Sequence, residues 1–263
     1  MSHLYVEGIG LMAPGLASWA DGRAVLAGER SYVAAAMPPL TATLLPTNER
    51  RRTTATVKLA LQVAQEAILN AEIDPRTVAT VLASSGGDSE VVDRICTALT
   101  QSGRPVSPTH FHHSVHNTPA GYWAIATQCT APSLSLSAYD DSFAAGLLEA
   151  AALAWTEQTR VLLVAYDLPL PFPLSEHRTL AAPFAVALVL NPATTERRLA
   201  TLRLKRSDDS SVSGLDDAQL EALRLGNPSA RSLPLLRAIA RSTATRLSLP
   251  TNAAGALALE VEP

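Results

Sequence analysis

The sequence has only two cysteines, Cys96 and Cys129, in 263 residues. That excludes a disulfide framework and suits a reducing compartment, so a cytoplasmic protein is expected. Aromatic residues are scarce, at 5%, although hydrophobic residues reach 47% and alanine is abundant. Small side chains favour helices packed closely on a sheet over a β-sandwich. No apolar run approaches a membrane span, so no transmembrane segment is expected. The opening MSHLYVEGIG lacks a basic stretch followed by an apolar one, so no signal peptide is expected. Formal charge is −3. The basic residues are scattered apart from Arg50-Arg51-Arg52, which reads as the solvated start of a helix. A nucleic-acid groove needs a broader basic surface, so no nucleic-acid partner is expected.

Several catalytic signatures are also missing. The turn SSGGDSE, Ser84 to Glu90, lacks the lysine and spacing of a phosphate-binding loop and reads as a strand-to-helix turn. DDSFAAG, around Ser142, lacks the flanking glycines of a nucleophile elbow. Cys129 precedes a strand instead of following one, which suits a buried thiol better than a nucleophile.

What is present alternates. Leu4 to Met12 reads as a strand containing Gly8 and Gly10, and Ser18 to Leu26 as a short helix. Ala34 to Pro46 carries three prolines and reads as irregular. Thr53 to Ala71 places Val57, Leu61, Ala64 and Ile68 on one face, which predicts a helix of about five turns. Thr80 to Ser84 is a short buried strand and Ser89 to Thr100 a helix. Val106 to Asn117 reads as an extended loop, and a helix begins near Thr118 with Pro119 in its first turn. Ser133 to Ala138 is expected to be a buried strand. Ser142 to Glu157 reads as a helix packed on all sides, given Gly146 and its alanine neighbours. Strands follow at Arg160 to Ala165 and Ala185 to Asn191, with a rigid proline-rich loop between them at Leu168 to Pro173. Beyond that, Leu199 to Lys205 reads as a half-exposed strand and Ser207 to Gly214 as a polar loop. Asp216 to Leu225 and Ser232 to Arg246 read as helices, and Ala256 to Val261 as a closing strand. The pattern predicts an α/β layered domain with its sheet covered on both faces.

Five pieces of this chain, in order, resemble the β-ketoacyl synthases of the thiolase superfamily. They are VEGIGLMAPG, RRRTTATVKLALQVAQEAI, SPTHFHHSVHNTPAGYWAIAT, TAPSLSLSAYDDSFAAGLLEAA and FAVALVLN. Within the third, Asn117, Ala120 and Gly121 fit the synthase pattern beside the acyl pocket. The likeness extends to the short chain-length-factor-like subunits of aryl polyene pigment pathways. It implies a thiolase-like α-β-α fold over residues 1–263. Residues 1–192 would form a complete N-terminal half and residues 193–263 a short C-terminal appendix.

The departures from that pattern are as informative. A condensing synthase needs a cysteine at the start of the buried helix, where the helix dipole favours its thiolate. Laid on the pattern, Asp140 takes that position, with Tyr139 before it and Asp141 after. The synthase histidines, which would stabilise the developing enolate and oxyanion, have no counterpart: no histidine follows Leu190. Loss of the nucleophile alone would leave a decarboxylase possible; loss of the histidines as well argues against it. The resemblance therefore implies a pseudo-synthase with no catalytic residue of its own and no cofactor. It would pair with a full-length β-ketoacyl synthase in polyene, polyketide or fatty-acid-type elongation, stabilise it, and shape its acyl tunnel. The chain on acyl carrier protein would be met through that partner.

Three roles stand open for Asp140 and Asp141. The first is capping the following helix, the second is a general acid–base pair, and the third is a bond to a partner's donor. His110, His112, His113 and His116 cluster in THFHHSVH, which allows an independent metal-assisted hydrolase as an alternative. The spacing is loosely that of the HxHxDH loop of metallo-β-lactamase-like enzymes, without its aspartate, and no metal is assigned. The resemblance instead places Phe111, His112, His113, Val115, His116 and Asn117 at a tunnel or subunit interface, together with Tyr139, Asp140 and Asp141. A homodimeric acyl-chain-binding protein is a further alternative.

Overall fold

The computed structural model describes residues 3–207, 211–251 and 255–263. In chain order the elements are β1 (Leu4–Met12), α1 (Trp19–Ala27), α2 (Thr47–Arg52), α3 (Ala55–Ala71), β2 (Ala79–Ala83), α4 (Ser89–Thr100), α5 (Pro108–His113), α6 (Thr118–Thr127) and β3 (Ser133–Leu136). They continue with α7 (Ser142–Glu157), β4 (Val161–Asp167), α8 (Leu174–His177), β5 (Phe184–Asn191), β6 (Ala200–Ser207), α9 (Ala218–Gly226), α10 (Leu233–Ala240), β7 (Thr245–Pro250) and β8 (Ala256–Glu262). Short 3₁₀ turns at Tyr139–Asp141 and Ser229–Ser232 prove important to the site.

The strands form one eight-stranded sheet in the order β3-β2-β4-β5-β1-β6-β8-β7. β2 runs parallel to β3 and β4, and the remaining pairs are antiparallel. The fold is the mixed α/β layer expected from the sequence. β4 is buried throughout, so both of its faces must be apolar. Leu162, Val164 and Tyr166 face one core with α3 and α6. Val161, Leu163 and Ala165 face the other with α7 and α10.

The glycines of β1 are explained by close approach. A Cβ on Gly10 would lie 2.0 Å from the Val63 carbonyl oxygen, and one on Gly8 would lie 2.2 Å from that of Ala67. α3 can therefore cross β1 only over bare backbone. Between Val6 and Gly8 the pairing with β5 slips. This bulge sends Glu7 into a network with Arg160 (2.7 Å), Asn191 (2.8 Å) and Thr195 (2.6 Å).

Several expectations need correction. The stretch from Val106 to Asn117 is not all loop. Pro108 opens α5, for which its fixed φ and absent N–H are suited. Arg50–Arg52 close a separate short helix, α2, instead of opening α3. The strand at Ser133 is shorter than expected and lies at the sheet edge, paired only with β2. Ser133 and Leu134 are consequently exposed. α7 is not packed on all sides, because the face carrying Leu148 and Ala152 is exposed. The helix expected to reach Arg246 ends at Ala240, and the chain turns through Ser242 into β7, a strand specified by its partner β8. In the polar loop expected at Ser207 to Gly214, residues 208–210 lie outside the described residues, and residues 211–214 carry no regular element.

Candidate functional site

The loops at the C-terminal ends of the parallel strands β2, β3 and β4 meet at the start of α7, where Asp140 stands. Tyr139 adopts the left-handed backbone conformation, φ +53°, and leads into the 3₁₀ turn. The expectation that the aspartates cap α7 fails. Neither carboxylate makes a capping bond, and Asp141 itself has φ −99° and ψ 16° instead of the extended geometry of a cap. The turn already runs into the helix. Its hydroxyl bonds come from Ser142, which donates to the Tyr139 carbonyl at 2.7 Å and accepts from the Ala138 N–H at 3.0 Å.

Two arginines take the carboxylates instead. Arg178 donates to Asp140 at 2.9 Å; Arg231 donates to Asp141 at 2.8 Å and to Asp140 at 3.2 Å. The Arg178 guanidinium also lies 3.8 Å from the centre of the Tyr139 ring. Both arginine side chains are largely buried, at 17% and 20% exposed, whereas Asp140 remains 43% exposed. Burial raises the Asp141 carboxyl above its ordinary range, opposed by Arg231 and reinforced by Asp140. The quartet balances its charges, and charge-assisted bonds of this kind contribute about 1.5–3 kcal/mol each when shielded from water.

Beneath this junction lies a knot that the sequence reading missed. Asp167, at the end of β4, is 2% exposed. One of its carboxylate oxygens accepts from the Ser85 N–H (2.8 Å) and the hydroxyls of Ser85 (2.7 Å) and Ser84 (3.1 Å). The other accepts from the Ser229 hydroxyl at 2.7 Å. The Asn227 amide donates to the backbone carbonyls of Asp167 and Ala182. Burial pushes the Asp167 carboxyl up, against these hydrogen bonds. The legible signal was a charged residue ending a buried apolar strand. The serines, 82 and 62 positions away, carried none. Gly86-Gly87 form the expected strand-to-helix turn, and Asp88 caps α4 by accepting from the Val91 N–H at 3.2 Å. Cys129 is only half-buried, and its thiol donates to the Val78 carbonyl at 3.4 Å.

The histidines do not converge on a common point. His113 is 2% exposed and its Nε2 lies 3.0 Å from the Arg52 carbonyl, which can only accept, so that nitrogen carries the proton. Its ring stacks on Tyr122, centroids 5.5 Å apart. Burial first, and then the neighbouring His112, lower its pKa. His116 turns the other way and bonds the Ser84 carbonyl at 3.2 Å. His112 is exposed and His110 half-buried. Among the described residues no group of three or more His, Cys, Asp or Glu side chains is placed to hold a metal. Phe111 (70% exposed), Val115 (55%) and Tyr139 (55%) face solvent, as does Asn117, and Ile125 on α6 is 58% exposed. Among the described residues no helix is long and apolar enough to cross a membrane.

Comparison with known proteins agrees with this architecture. No curated protein matches the chain. The chain is similar, at 24% identity and a TM-score of 0.75 over 99% of both chains, to a chain of the ketosynthase ApeO in complex with its chain length factor ApeC from Xenorhabdus doucetiae. It is similar to a chain of the ishigamide ketosynthase/chain length factor at 14% identity and a TM-score of 0.72, over 98% of both chains. A third match, at 12% identity and a TM-score of 0.75 over 99% of both chains, is to AntDE:AntF, a type II polyketide synthase acyl-carrier protein in complex with its ketosynthase bound to the hexaketide. At these identities the likeness speaks for the fold, which is that of the thiolase-like ketosynthases. Residues 23–251 match the family model described as the β-ketoacyl synthase N-terminal domain. With most of its length inside that model, this chain belongs to the β-ketoacyl synthase N-terminal domain family.

Proposed function

We propose that this chain is the non-catalytic, chain-length-factor-like partner of a full-length β-ketoacyl synthase in polyene, polyketide or fatty-acid-type chain elongation. The observation that carries the reading is the junction itself. On the resemblance to the synthases Asp140 falls where their nucleophile would stand, and here it is held between Arg178 and Arg231. A carboxylate so held is a poor nucleophile toward a thioester, and an acyl anhydride formed from it would hydrolyse. That the similar structures are ketosynthases with their chain length factors supports the same reading.

The surface around the junction supports a heterodimer. β3 presents an unpaired strand edge, a template for another chain. Around it stand exposed Leu134, Tyr139 and Ile125, with Phe111 and Val115 at the α5–α6 corner. In this reading Phe111, His112, Val115, Asn117 and Tyr139 lie at the contact with the synthase. His113 and His116 shape the inner wall of the tunnel behind them, and Asp140 stays accessible to a donor from the partner. The acyl chain on its carrier protein is met through the synthase, and the pair works in the cytoplasm. Residues 1–192 form the synthase-like half; residues 193–263 extend the sheet and supply Arg231 and Ser229 to brace the junction.

The test is reconstituted elongation. The chain alone should condense no malonyl and acyl thioesters. Added to the synthase, it should raise synthase yield and set product length. Condensation by the isolated chain that is lost in Asp140→Ala would overturn the reading.

A further inference from the structure

The sheet has two edges, β3 and β7, at opposite ends of the strand order. Among the described residues β7 is covered at Ser248. The Ser213 N–H donates to the Ser248 carbonyl at 2.9 Å, and the Ser248 N–H donates to the Ser213 hydroxyl at 2.9 Å. The main-chain groups of Ser248 therefore point away from β8. Such groups alternate along an antiparallel ladder with period two, so those of Arg246 point outward as well. The covering segment does not reach them. Beyond Gly214 it turns off, and the Leu215 N–H donates to the Glu221 carboxylate on α9 at 2.9 Å.

This open stretch borders a cleft of about 190 Å³ between β7 and α10. Thr245 and Leu247, the neighbours of Arg246 in β7, line it, and Leu215, Pro234 and Ala238 add apolar wall. Arg237 and Arg241, about one helical turn apart, line it too. The Arg237 side chain is only 16% exposed, yet among the described residues its guanidinium bonds Asp216 alone, at 2.8 Å, and Asp216 is 93% exposed. Arg241 donates through Nε to the Ala27 carbonyl at 3.3 Å, and its two Nη groups have no acceptor among the described residues. Two cations thus share one carboxylate, and like charges a turn apart repel.

The combination selects a ligand. A small anion would use the arginines and neglect the strand edge and the apolar wall. A second copy of this chain would bring the same arginines against their own mates, with Arg246, 87% exposed, between them. A peptide C-terminus uses all three features. Its main chain adds to the strand edge, its carboxylate takes the arginine forks, and its last side chain covers the apolar wall. The space, room for about six waters at ~30 Å³ each, holds one terminal residue.

We propose that the cleft between β7 and α10 binds the C-terminus of a partner polypeptide that ends in an apolar residue. Arg237 and Arg241 hold the carboxylate, and the Arg246 main chain pairs with the incoming strand. Asp216 is the internal competitor; exposed ion pairs are weak, so the incoming carboxylate displaces it. The site lies at the sheet edge opposite β3 and does not depend on the synthase contact proposed above.

The experiment is fluorescence polarisation with the full chain, in the assembly in which it purifies. The probe is a dye-labelled hexapeptide of alternating threonine and valine that ends in leucine, made both with a free carboxylate and as the C-terminal amide. The free acid should bind saturably, and the amide about tenfold or more weakly. Arg237→Gln combined with Arg241→Gln should bring that ratio close to one. Asp216→Asn, which removes the competing carboxylate, should tighten the free acid severalfold, a gain that a merely structural ion pair does not predict. No saturable binding, equal affinity for acid and amide, or an unchanged ratio in a folded double variant overturns the proposal. So does inorganic phosphate that displaces the labelled peptide as well as the unlabelled free acid does, because the cleft is then a small-anion site. None of these outcomes touches the partner reading.

Discussion

The junction at Tyr139–Ser142 and the corner at Pro108–Thr118 lie at the same end of the sheet, beside the end of β2, and are built in opposite ways. At the junction every charge is answered: Arg178 and Arg231 take Asp140 and Asp141, and three serines and a backbone N–H surround Asp167. At the corner large apolar side chains stand open, and the polar atoms Tyr166 Oη, Asp88 Oδ2 and His113 Nδ1 have no hydrogen-bond partner among the described residues. The contrast fits the proposed partner role, in which a braced junction stands beside a surface that another subunit completes.

Variants of the two regions should therefore fail in different ways. The largest effect is expected at the knot. Asp167→Ala leaves three hydroxyls and an N–H without their acceptor and should lower stability by about 3–4 kcal/mol in urea unfolding, with Asp167→Asn costing much less. Next comes Arg231→Ala, which leaves two adjacent carboxylates half-shielded and should cost about 2 kcal/mol. Pairing that change with Asp141→Asn should recover part of the loss. At the corner the pattern should invert. Phe111→Ala should alter the chain's own stability by less than about 0.5 kcal/mol and weaken association with the synthase by about tenfold or more, read by titration calorimetry.

The smallest effect concerns pH. Burial holds the His113 pKa below its ordinary value of 6.5 in the folded chain. The unfolded chain then binds the proton first, so stability from this residue is complete above pH 6.5. It declines as pH falls from there toward the lowered folded value. His112, His110 and Asp88 face the same ring and modulate the slope. His113→Gln should flatten that limb of a stability–pH curve.

The sequence made the sheet legible where patterns are local. β1, α3, α6, α7 and β5 follow from periodicity and turn residues, and the family likeness placed Asp140 at the head of α7. What escaped was non-local. β7 is a strand because β8 lies beside it. Asp141 was expected to cap its helix because local propensity favours that, but an arginine 90 positions away offers the carboxylate a stronger bond. The histidines look like one cluster in sequence, yet α5 and the turn after it send His113 and His116 to different carbonyls. Helical spacing in so short an element could not be read from a segment expected to be loop.

The central claim is that this chain completes another. Its most direct test is the native mass of the tagged chain, expressed alone and with a β-ketoacyl synthase from the same source. A one-to-one complex, with the chain poorly soluble on its own, is the result expected. A well-behaved single chain or homodimer whose mass is unchanged by the synthase would contradict it.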